Sequence, residues 1–379
     1  MELFNVYPLY DVTLVKGEGS KVFDQAGNEY LDLYGGHGVI SVGHCHPHYA
    51  AAIKRQVDTL GFYSNSVQNP IQEALAEKLG SISGCEQYDL FLCNSGAEAN
   101  ENALKLASFH TGRSKVVGFA NSFHGRTSAA VSVTDNKKIN APLNRQHEVE
   151  LLPLNDLDAV ERALSKRDVA AVIIEGIQGV GGLDEGSTRF FQGLEKICGN
   201  YGTVLILDEI QSGYGRSGKF FAFQHHEIQP DLITIAKGMG NGFPIGGVLI
   251  GPAFESSFGL LGTTFGGNHL ACSAALSVLE IMQSENLVDR VDGLSEYIID
   301  KLKSLSGVQR IKGRGLMLGL EFDFEVSGLR KKLIHEKKIF TGGSANPRLL
   351  RILPPLNVSR ESLSYFAESL SELLQEEKV

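Results

Sequence analysis

Apolar and polar positions alternate along the chain in a way that predicts strands and helices in turn. Short apolar runs bounded by Gly, Asn, Asp or Ser predict strands, and longer stretches with helical periodicity predict helices. The predicted strands are 89–93, 115–119, 169–175, 204–208 and 232–236, and the predicted helices are 97–110, 156–165, 186–201 and 268–284. This order indicates an α/β domain with a mainly parallel sheet, helices on both faces and ligands at the carboxyl ends of the strands.

The two ends of the chain have a different pattern. From about residue 287 onward, amphipathic helices are predicted at 291–305 and 359–376, with strands at 313–321 and 349–353. This mixture indicates a smaller α+β unit. Near the start, a hairpin is predicted at 22–33, around the turn Ala26-Gly27-Asn28. We expect an N-terminal segment, 1–45, that packs with a small domain, 286–379, and a large domain, 46–285, between them.

Composition excludes several classes of protein. Of the 379 residues, 42% are hydrophobic and 21% are charged, which is typical of a globular chain. The net charge of -9 argues against a nucleic-acid partner, which would require a basic face. Five cysteines without a CxxC pair argue against a disulfide framework and favour a reducing compartment. No signal peptide or membrane-length apolar run is visible, so we expect a cytoplasmic protein without a membrane partner.

Residues 94–100 follow a predicted strand and open a predicted helix. Ser95 or Asn94 can cap that helix, and its free N–H groups together with the helix dipole would suit a phosphate. The same segment is also consistent with an ordinary capped turn that binds nothing.

One predicted strand ends in Asp208, and another is followed directly by Lys237. An ionised aspartate beside a pyridine nitrogen would keep that nitrogen protonated, although Asp208 could equally cap the next turn. Partial burial would lower the pKa of the Lys237 amine and make it a usable nucleophile. A lysine that extends from a strand end into solvent is the structural alternative.

Two arginines and a histidine cluster complete the candidate chemistry. In the segment 123–127, Phe123 could stack on a planar ligand and Arg126 could bind a carboxylate with two hydrogen bonds, unless Phe123 is core and Arg126 is solvated. Arg351 precedes the run 352–355 in the small domain. The histidines of 44–48 have no distant Cys/His pair, so we interpret them as a helix-start turn and expect no metal site.

Taken together and in their order along the chain, these motifs resemble those of the class III (ω-type) aminotransferases of pyridoxal-5'-phosphate (PLP) fold type I. The resemblance covers nearly the whole chain. The most specific matches are residues 208–213, 236–238 and 264–268. Residues 43–47, 94–100, 123–127 and 353–357 are most similar to acetylornithine aminotransferases and their succinylornithine relatives. The resemblance implies an aspartate-aminotransferase-like α/β fold, with a mainly parallel large-domain sheet and a smaller α+β domain.

The resemblance also implies PLP as the cofactor and indicates its contacts. Lys237 would hold PLP as a Schiff base and move the substrate proton, and Asp208 would pair with the pyridine nitrogen. The other implied contacts are Gln211 at the phenolic oxygen, Ile210 and Phe123 on the two ring faces, the N–H groups of Gly96 and Ala97 at the phosphate, and Thr264 at the phosphate of a neighbouring subunit. This sharing of Thr264 implies a homodimer.

The implied reaction moves the δ-amine of an N2-acylornithine, acetyl or succinyl, to 2-oxoglutarate in arginine metabolism. Arg126 would bind the distal carboxylate of the donor, and Arg351 the α-carboxylate of 2-oxoglutarate. Glu175, Asn65 and His37 are the other expected substrate contacts. Ornithine, 4-aminobutyrate and other ω-aminotransferases, an aminomutase on the same scaffold, a PLP-binding protein without catalysis and a metal-binding protein are the alternatives.

Three positions depart from the family pattern. Val180 replaces the second glutamate of the motif at 175–180, which relatives use to mask the α-carboxylate arginine, so Arg351 would stay open to an anion. His37 replaces an apolar residue or a tyrosine near the substrate. We therefore hypothesise a preference for a donor with an extra carboxylate, such as N2-succinylornithine. His269 replaces a proline, and nothing in the sequence explains that change.

Overall fold

The computed structural model describes residues 1–376. Within them the strands are β1 (Leu14–Glu18), β2 (Lys21–Asp24), β3 (Glu29–Asp32), β4 (Asp89–Cys93), β5 (Lys115–Phe119), β6 (Val149–Leu152), β7 (Val169–Glu175), β8 (Val204–Asp208), β9 (Leu232–Ile235), β10 (Gly246–Ile250), β11 (Arg310–Arg314), β12 (Met317–Glu321), β13 (Ile339–Phe340) and β14 (Leu349–Ile352). The helices are α1 (Gly35–Gly38), α2 (Pro47–Thr59), α3 (Pro70–Ser83), α4 (Gly96–Thr111), α5 (Ser128–Ser132), α6 (Leu157–Leu164), α7 (Thr188–Tyr201), α8 (His269–Ser284), α9 (Leu287–Leu302), α10 (Ser327–His335) and α11 (Arg360–Glu376).

A seven-stranded sheet with the order β4-β10-β9-β8-β7-β5-β6 forms the centre of the molecule. Strands β5 to β9 pair in parallel, and β10 runs antiparallel to both of its neighbours. The predicted mainly parallel α/β sheet is therefore confirmed. The four predicted strands β4, β5, β7 and β8 have the predicted bounds, and β9 ends one residue earlier than expected.

Both faces of this sheet are covered by helices. Successive residues of β7 and β8 enter two different apolar clusters, so that Ile173 and Ile206 pack with α4 while Ile174 and Leu207 pack in the main core. This alternation is what a strand buried on both sides requires, because successive side chains point to opposite faces. Every residue of β7 and β8 is buried.

Two smaller sheets involve the ends of the chain. Strands β1, β2, β3 and β13 form one sheet, in which β13 pairs in parallel with β3, and β11, β12 and β14 form another. The predicted hairpin at 22–33 is confirmed by the antiparallel pairing of β2 and β3. The single strand predicted at 313–321 is wrong, because the chain turns at Gly315 (φ +60°) and forms the hairpin β11–β12.

The histidine cluster begins α2, as predicted: His46 is its N-cap and Pro47 its first residue. The three histidines contact separate carboxylates, His44 with Asp32, His46 with Glu285 and His48 with Glu280. Among residues 1–376, no group of three or more His, Cys, Asp or Glu side chains is arranged to hold a metal ion. In the same part of the chain, no helix has the length and apolar character needed to cross a membrane.

Candidate active site

A cavity of about 390 Å³ lies at the carboxyl ends of β4, β5, β7, β8 and β9. Each strand contributes its last residue or the residues just after it to the cavity wall, because parallel strands of one sheet end at the same edge. The charged and polar residues on its wall include Arg126, Glu175, Asp208, Gln211 and Lys237. The sheet therefore brings into one cavity five of the residues predicted from separate motifs.

Lys237 enters the cavity from a turn with an unusual backbone conformation. Its φ of +47° lies in the left-handed region, which residues other than glycine rarely adopt and which is often retained at functional sites. Burial lowers the pKa of its amine, as does the charge of Arg351, whereas the carboxylates of Asp208 and Glu175 raise it. A lysine whose pKa is lowered in this way is a better nucleophile and base near neutral pH.

The N-terminal segment fixes the turn that carries Lys237. The Ser41 hydroxyl donates to the carbonyl of Gly238 at 2.7 Å. Asn241 Oδ1 accepts the backbone N–H groups of Ser41 and Val42 at 2.8 and 3.0 Å. These contacts span about 200 residues of sequence and hold the loop after α1 against the lysine turn. Asn241 was not among the predicted site residues.

Asp208 ends β8, and neighbouring groups fix both of its carboxylate oxygens. Oδ2 accepts from Asn100 Nδ2 at 2.8 Å and lies 2.7 Å from His124 Nδ1, and Oδ1 accepts from the backbone of Ile210 at 3.1 Å. Asn100 Oδ1 in turn accepts from the Thr234 hydroxyl at 2.7 Å. The side chains of Asp208, Asn100 and His124 are buried, so the carboxylate is held in one orientation at the cavity wall.

The first turn of α4 faces the cavity and presents backbone donors. Ser95 is the N-cap, and its hydroxyl accepts the backbone N–H of Glu98 at 3.2 Å. The N–H groups of Gly96 and Ala97 belong to the first turn, where a helix has no internal acceptors for them. A Cβ on Gly96 would lie 2.8 Å from Ile210 Cδ1, so only glycine fits beside that wall. This end of α4 can accept an anion, as predicted from the sequence.

Phe123, Ile210 and Gln211 form part of the remaining wall. Phe123 and Ile210 are partly exposed to the cavity and offer two apolar surfaces for a planar ring. Gln211 Nε2 donates to the carbonyl of His37 at 2.9 Å, and its Oε1 accepts from Arg351 Nη1 at 3.3 Å. Gln211 therefore lines the cavity and also contacts His37 and Arg351, which lie behind the cavity wall.

Glu175 lines the cavity, but its carboxylate oxygens bind backbone groups. Oε1 accepts the N–H of Phe123 at 2.9 Å, and Oε2 accepts the N–H of Gly179 at 2.8 Å. Burial raises the pKa of Glu175 to about 7. The contacts of Glu175 thus orient the loops after β5 and β7. A contact between Glu175 and the substrate stays a prediction.

The two predicted substrate arginines differ in environment. Arg126 is exposed at the cavity and forms no ion pair with any residue in the range 1–376, so its guanidinium is available for a carboxylate. Arg351, on β14, is only 3% exposed and lies behind the wall. Its Nε donates to Gly343 O at 2.6 Å and its Nη1 to Gly179 O at 2.5 Å.

His37 lies behind the cavity beside Tyr34. Its Nδ1 is hydrogen-bonded to the Tyr34 hydroxyl, and its backbone φ is +70°. Burial lowers the pKa of His37, and the nearby charges of Lys237, Arg351 and Arg330 lower it further. Near neutral pH the imidazole is therefore uncharged and acts as a hydrogen-bonding group.

Asn65 and Thr264 do not line this cavity within the chain. Asn65 Nδ2 donates to the carbonyl of Gly266 at 3.0 Å, and Thr264 is exposed two residues before Gly266. The structure therefore places these two predicted residues together on the surface, away from Lys237. Their role at a neighbouring subunit stays a prediction.

Three residues that support the site were not predicted from the sequence: Asn100, His124 and Asn241. Asn100 and His124 lie within segments that were singled out, and a polar residue on an otherwise buried helix face is a usable signal for Asn100.

This arrangement suits a planar, phosphorylated ligand with a basic ring nitrogen. The start of α4 can bind the phosphate, Asp208 can pair with the ring nitrogen, and the Lys237 amine can attack a carbonyl carbon. Arg126 remains available for a carboxylate of a second molecule.

Comparison with known families and proteins agrees with this chemistry. Residues 5–374 match the family described as aminotransferase class-III. The acetylornithine aminotransferase of Bacillus subtilis is 41% identical over 382 residues, covering 98% of this chain and 97% of its own. The acetylornithine aminotransferase of Aquifex aeolicus is 40% identical over 385 residues, covering 98% of this chain and 99% of its own.

Solved structures with the same fold are also aminotransferases. The ornithine aminotransferase of Toxoplasma gondii, described as having partial occupancy of PLP at its active site, superposes with a TM-score of 0.90 at 30% identity. That alignment covers 98% of this chain and 93% of the other. A Bacillus anthracis aminotransferase superposes with a TM-score of 0.89 at 25% identity, covering 99% of this chain and 96% of the other.

Proposed function

The chain belongs to the class-III aminotransferase family, and we propose that it transfers the δ-amino group of an N2-acylornithine to 2-oxoglutarate with PLP as cofactor. The observation that carries the proposal is the cavity in which Lys237, Asp208 and the open end of α4 meet. Relatives named acetylornithine aminotransferase are 41% and 40% identical, whereas a solved ornithine aminotransferase is 30% identical. This difference favours N2-acetylornithine over ornithine as the donor.

The residues present fit PLP. Gly96 and Ala97 supply backbone donors for its phosphate, and Asp208 supplies a fixed carboxylate for its ring nitrogen. Phe123 and Ile210 supply apolar surfaces for its ring. When bound, PLP supplies an electron-withdrawing ring that stabilises the negative charge left on a donor carbon that loses its proton.

Each chain residue has a defined task in this proposal. Lys237 would hold the cofactor through its side-chain amine, and the same amine would serve as the general base that takes the proton from the donor carbon. Asp208 stabilises a positive charge on the ring nitrogen through its fixed carboxylate. Arg126 binds the distal carboxylate of the donor, which places the δ-amine at Lys237.

The identity of the acyl group depends on charges near the cavity. His37 is uncharged near neutral pH, so it adds no positive charge for a succinyl carboxylate. Arg351 does carry a charge, and Val180 gives it no acid partner. We therefore propose N2-acetylornithine as the principal donor, with N2-succinylornithine as the alternative that the positive charge of Arg351 favours.

Half-reactions with single donors test the proposal. Mixing the purified holoenzyme with N2-acetylornithine is expected to abolish the visible absorbance of the lysine-bound cofactor, and 2-oxoglutarate is expected to restore it. N2-succinylornithine, ornithine and 4-aminobutyrate are compared by kcat/KM under the same conditions. A higher kcat/KM for ornithine than for both acylated donors would replace the proposal with ornithine aminotransfer. Product formation without any oxo acid would indicate an aminomutase instead.

We also propose that the enzyme is a homodimer that shares its active sites. Phe62, Tyr63 and Phe265 are 43%, 55% and 60% exposed, and the Phe62 and Phe265 rings lie 5.6 Å apart between centroids. These residues flank Asn65 and Thr264, so an exposed apolar surface surrounds the two predicted residues that do not reach the cavity. Exposed apolar surfaces of this kind favour a protein–protein interface.

Light scattering measures the assembly directly. The chain is expected to have the mass of a dimer at micromolar concentration, and replacing Phe265 with aspartate is expected to weaken the dimer, because it places a charge in the apolar surface. A monomer at every concentration that retains full activity would contradict the sharing of active sites.

A further inference from the structure

Arg330, on α10, lies beside Arg351 and has unused hydrogen-bonding capacity. Its Nη2 donates to the carbonyl of Thr341 at 3.0 Å, but its Nε is buried without a hydrogen-bond partner among residues 1–376. The buried hydroxyl of Thr341 has no partner within the same range either. Buried polar atoms are nearly always hydrogen-bonded, so these two atoms indicate a place for a polar ligand.

The guanidinium groups of Arg330 and Arg351 approach each other at Gly343. Arg351 Nε donates to the Gly343 carbonyl at 2.6 Å, and a Cβ on Gly343 would lie only 2.7 Å from Arg330 Nη1. Burial lowers the pKa of Arg351, Tyr34 and Glu175 raise it, and the positive charge of Arg330 lowers it. The two cations are thus close enough to affect each other.

No acid within residues 1–376 forms an ion pair with either arginine. The apolar residue Val180 is one reason for the absence of an acidic partner. It lines the cavity and directly follows Gly179, whose carbonyl accepts from Arg351 Nη1. Two adjacent guanidinium groups repel each other, and an anion bound between them would offset that repulsion.

We propose that Arg330 and Arg351 together bind one carboxylate of a dicarboxylate, namely the α-carboxylate of the 2-oxoacid acceptor, which makes Arg330 a specificity-determining residue. Two guanidinium forks offer a carboxylate more charged hydrogen bonds than one fork does. Arg126, in the loop after β5, remains for the distal carboxylate of the donor. The inference rests on the proposed function, because that function supplies the acceptor.

Binding of glutarate tests this site without turnover, since glutarate is a dicarboxylate with neither an amine nor a carbonyl to react. In calorimetry on the holoenzyme, Arg330→Gln is expected to raise the Kd of glutarate about tenfold, which corresponds to about 1.4 kcal/mol. The KM of the oxo-acid acceptor is expected to rise similarly, while the KM of the acetylated donor stays constant. Arg290→Gln removes an exposed arginine of α9 and should leave all three constants unchanged.

Gly343→Ala provides a second variant that keeps both charges. Its Cβ would displace the flexible end of Arg330, and Gly343 does not have a positive φ, so alanine fits its backbone. Glutarate binding is expected to weaken in this variant too. Wild-type glutarate affinity in both variants, or equal increases in the KM values of donor and acceptor, would overturn the proposal. Glutarate binding without transamination would instead contradict the proposed function and leave the two-arginine site intact.

Discussion

Replacing Lys237 with alanine is expected to lower kcat for N2-acetylornithine and 2-oxoglutarate by about 10⁴-fold or more, since a general base alone contributes up to about that factor. The variant should still bind PLP, because Asp208, Gly96 and Ala97 are unchanged. Multiple-turnover assays give kcat, and absorbance after desalting gives the PLP content.

The size of this effect follows from the lack of a substitute base at the cavity. Asp208 is engaged by Asn100 and His124, and both oxygens of Glu175 accept backbone N–H groups. Neither carboxylate is therefore free to replace the amine. Lys219→Ala is the matched control, because Lys219 is exposed and outside the cavity, and it should retain wild-type kcat. A Lys237→Ala variant within tenfold of wild type would refute the assignment of Lys237 as the base.

The central sheet could be predicted because its strands are buried on both faces. Continuous apolar runs such as β7 and β8 have few alternatives to a buried strand, and their ends place Glu175 and Asp208 at one edge. Strand β10 was missed because it begins with Gly246-Gly247, which weakens the strand signal, and its antiparallel direction is set by its neighbours.

The supporting contacts of the site could not be predicted, because they join residues distant in sequence. Asn241 holds Ser41 from about 200 residues away, and Arg330 on α10 and Arg351 on β14 come together only because both approach Gly343. The local sequence around Arg330 predicts no more than an amphipathic helix. The environment of His37 could not be predicted from its motif either, since burial and the nearby cations that lower its pKa come from distant parts of the chain.

Replacing Asp208 with asparagine is expected to lower kcat by about 100- to 1000-fold, the range seen when one fixed electrostatic group is removed from an active site. Asparagine keeps the shape of the side chain and removes its negative charge. The ring nitrogen then loses the anion that stabilises its positive charge, and His124 loses its acidic partner at 2.7 Å. The measurement is kcat with saturating N2-acetylornithine and 2-oxoglutarate.

Asp231→Asn is the matched control for this effect. Asp231 precedes β9 at the edge of the sheet opposite the cavity, and its carboxylate accepts the backbone N–H of Leu205 at 2.7 Å. The same chemical change there should leave kcat close to wild type, because Asp231 does not line the cavity and asparagine keeps an oxygen that can accept from Leu205. If Asp208→Asn also kept wild-type kcat while PLP remained bound, the carboxylate would serve only to hold Asn100 and His124. The Lys237 amine would then act without help from a charged ring nitrogen.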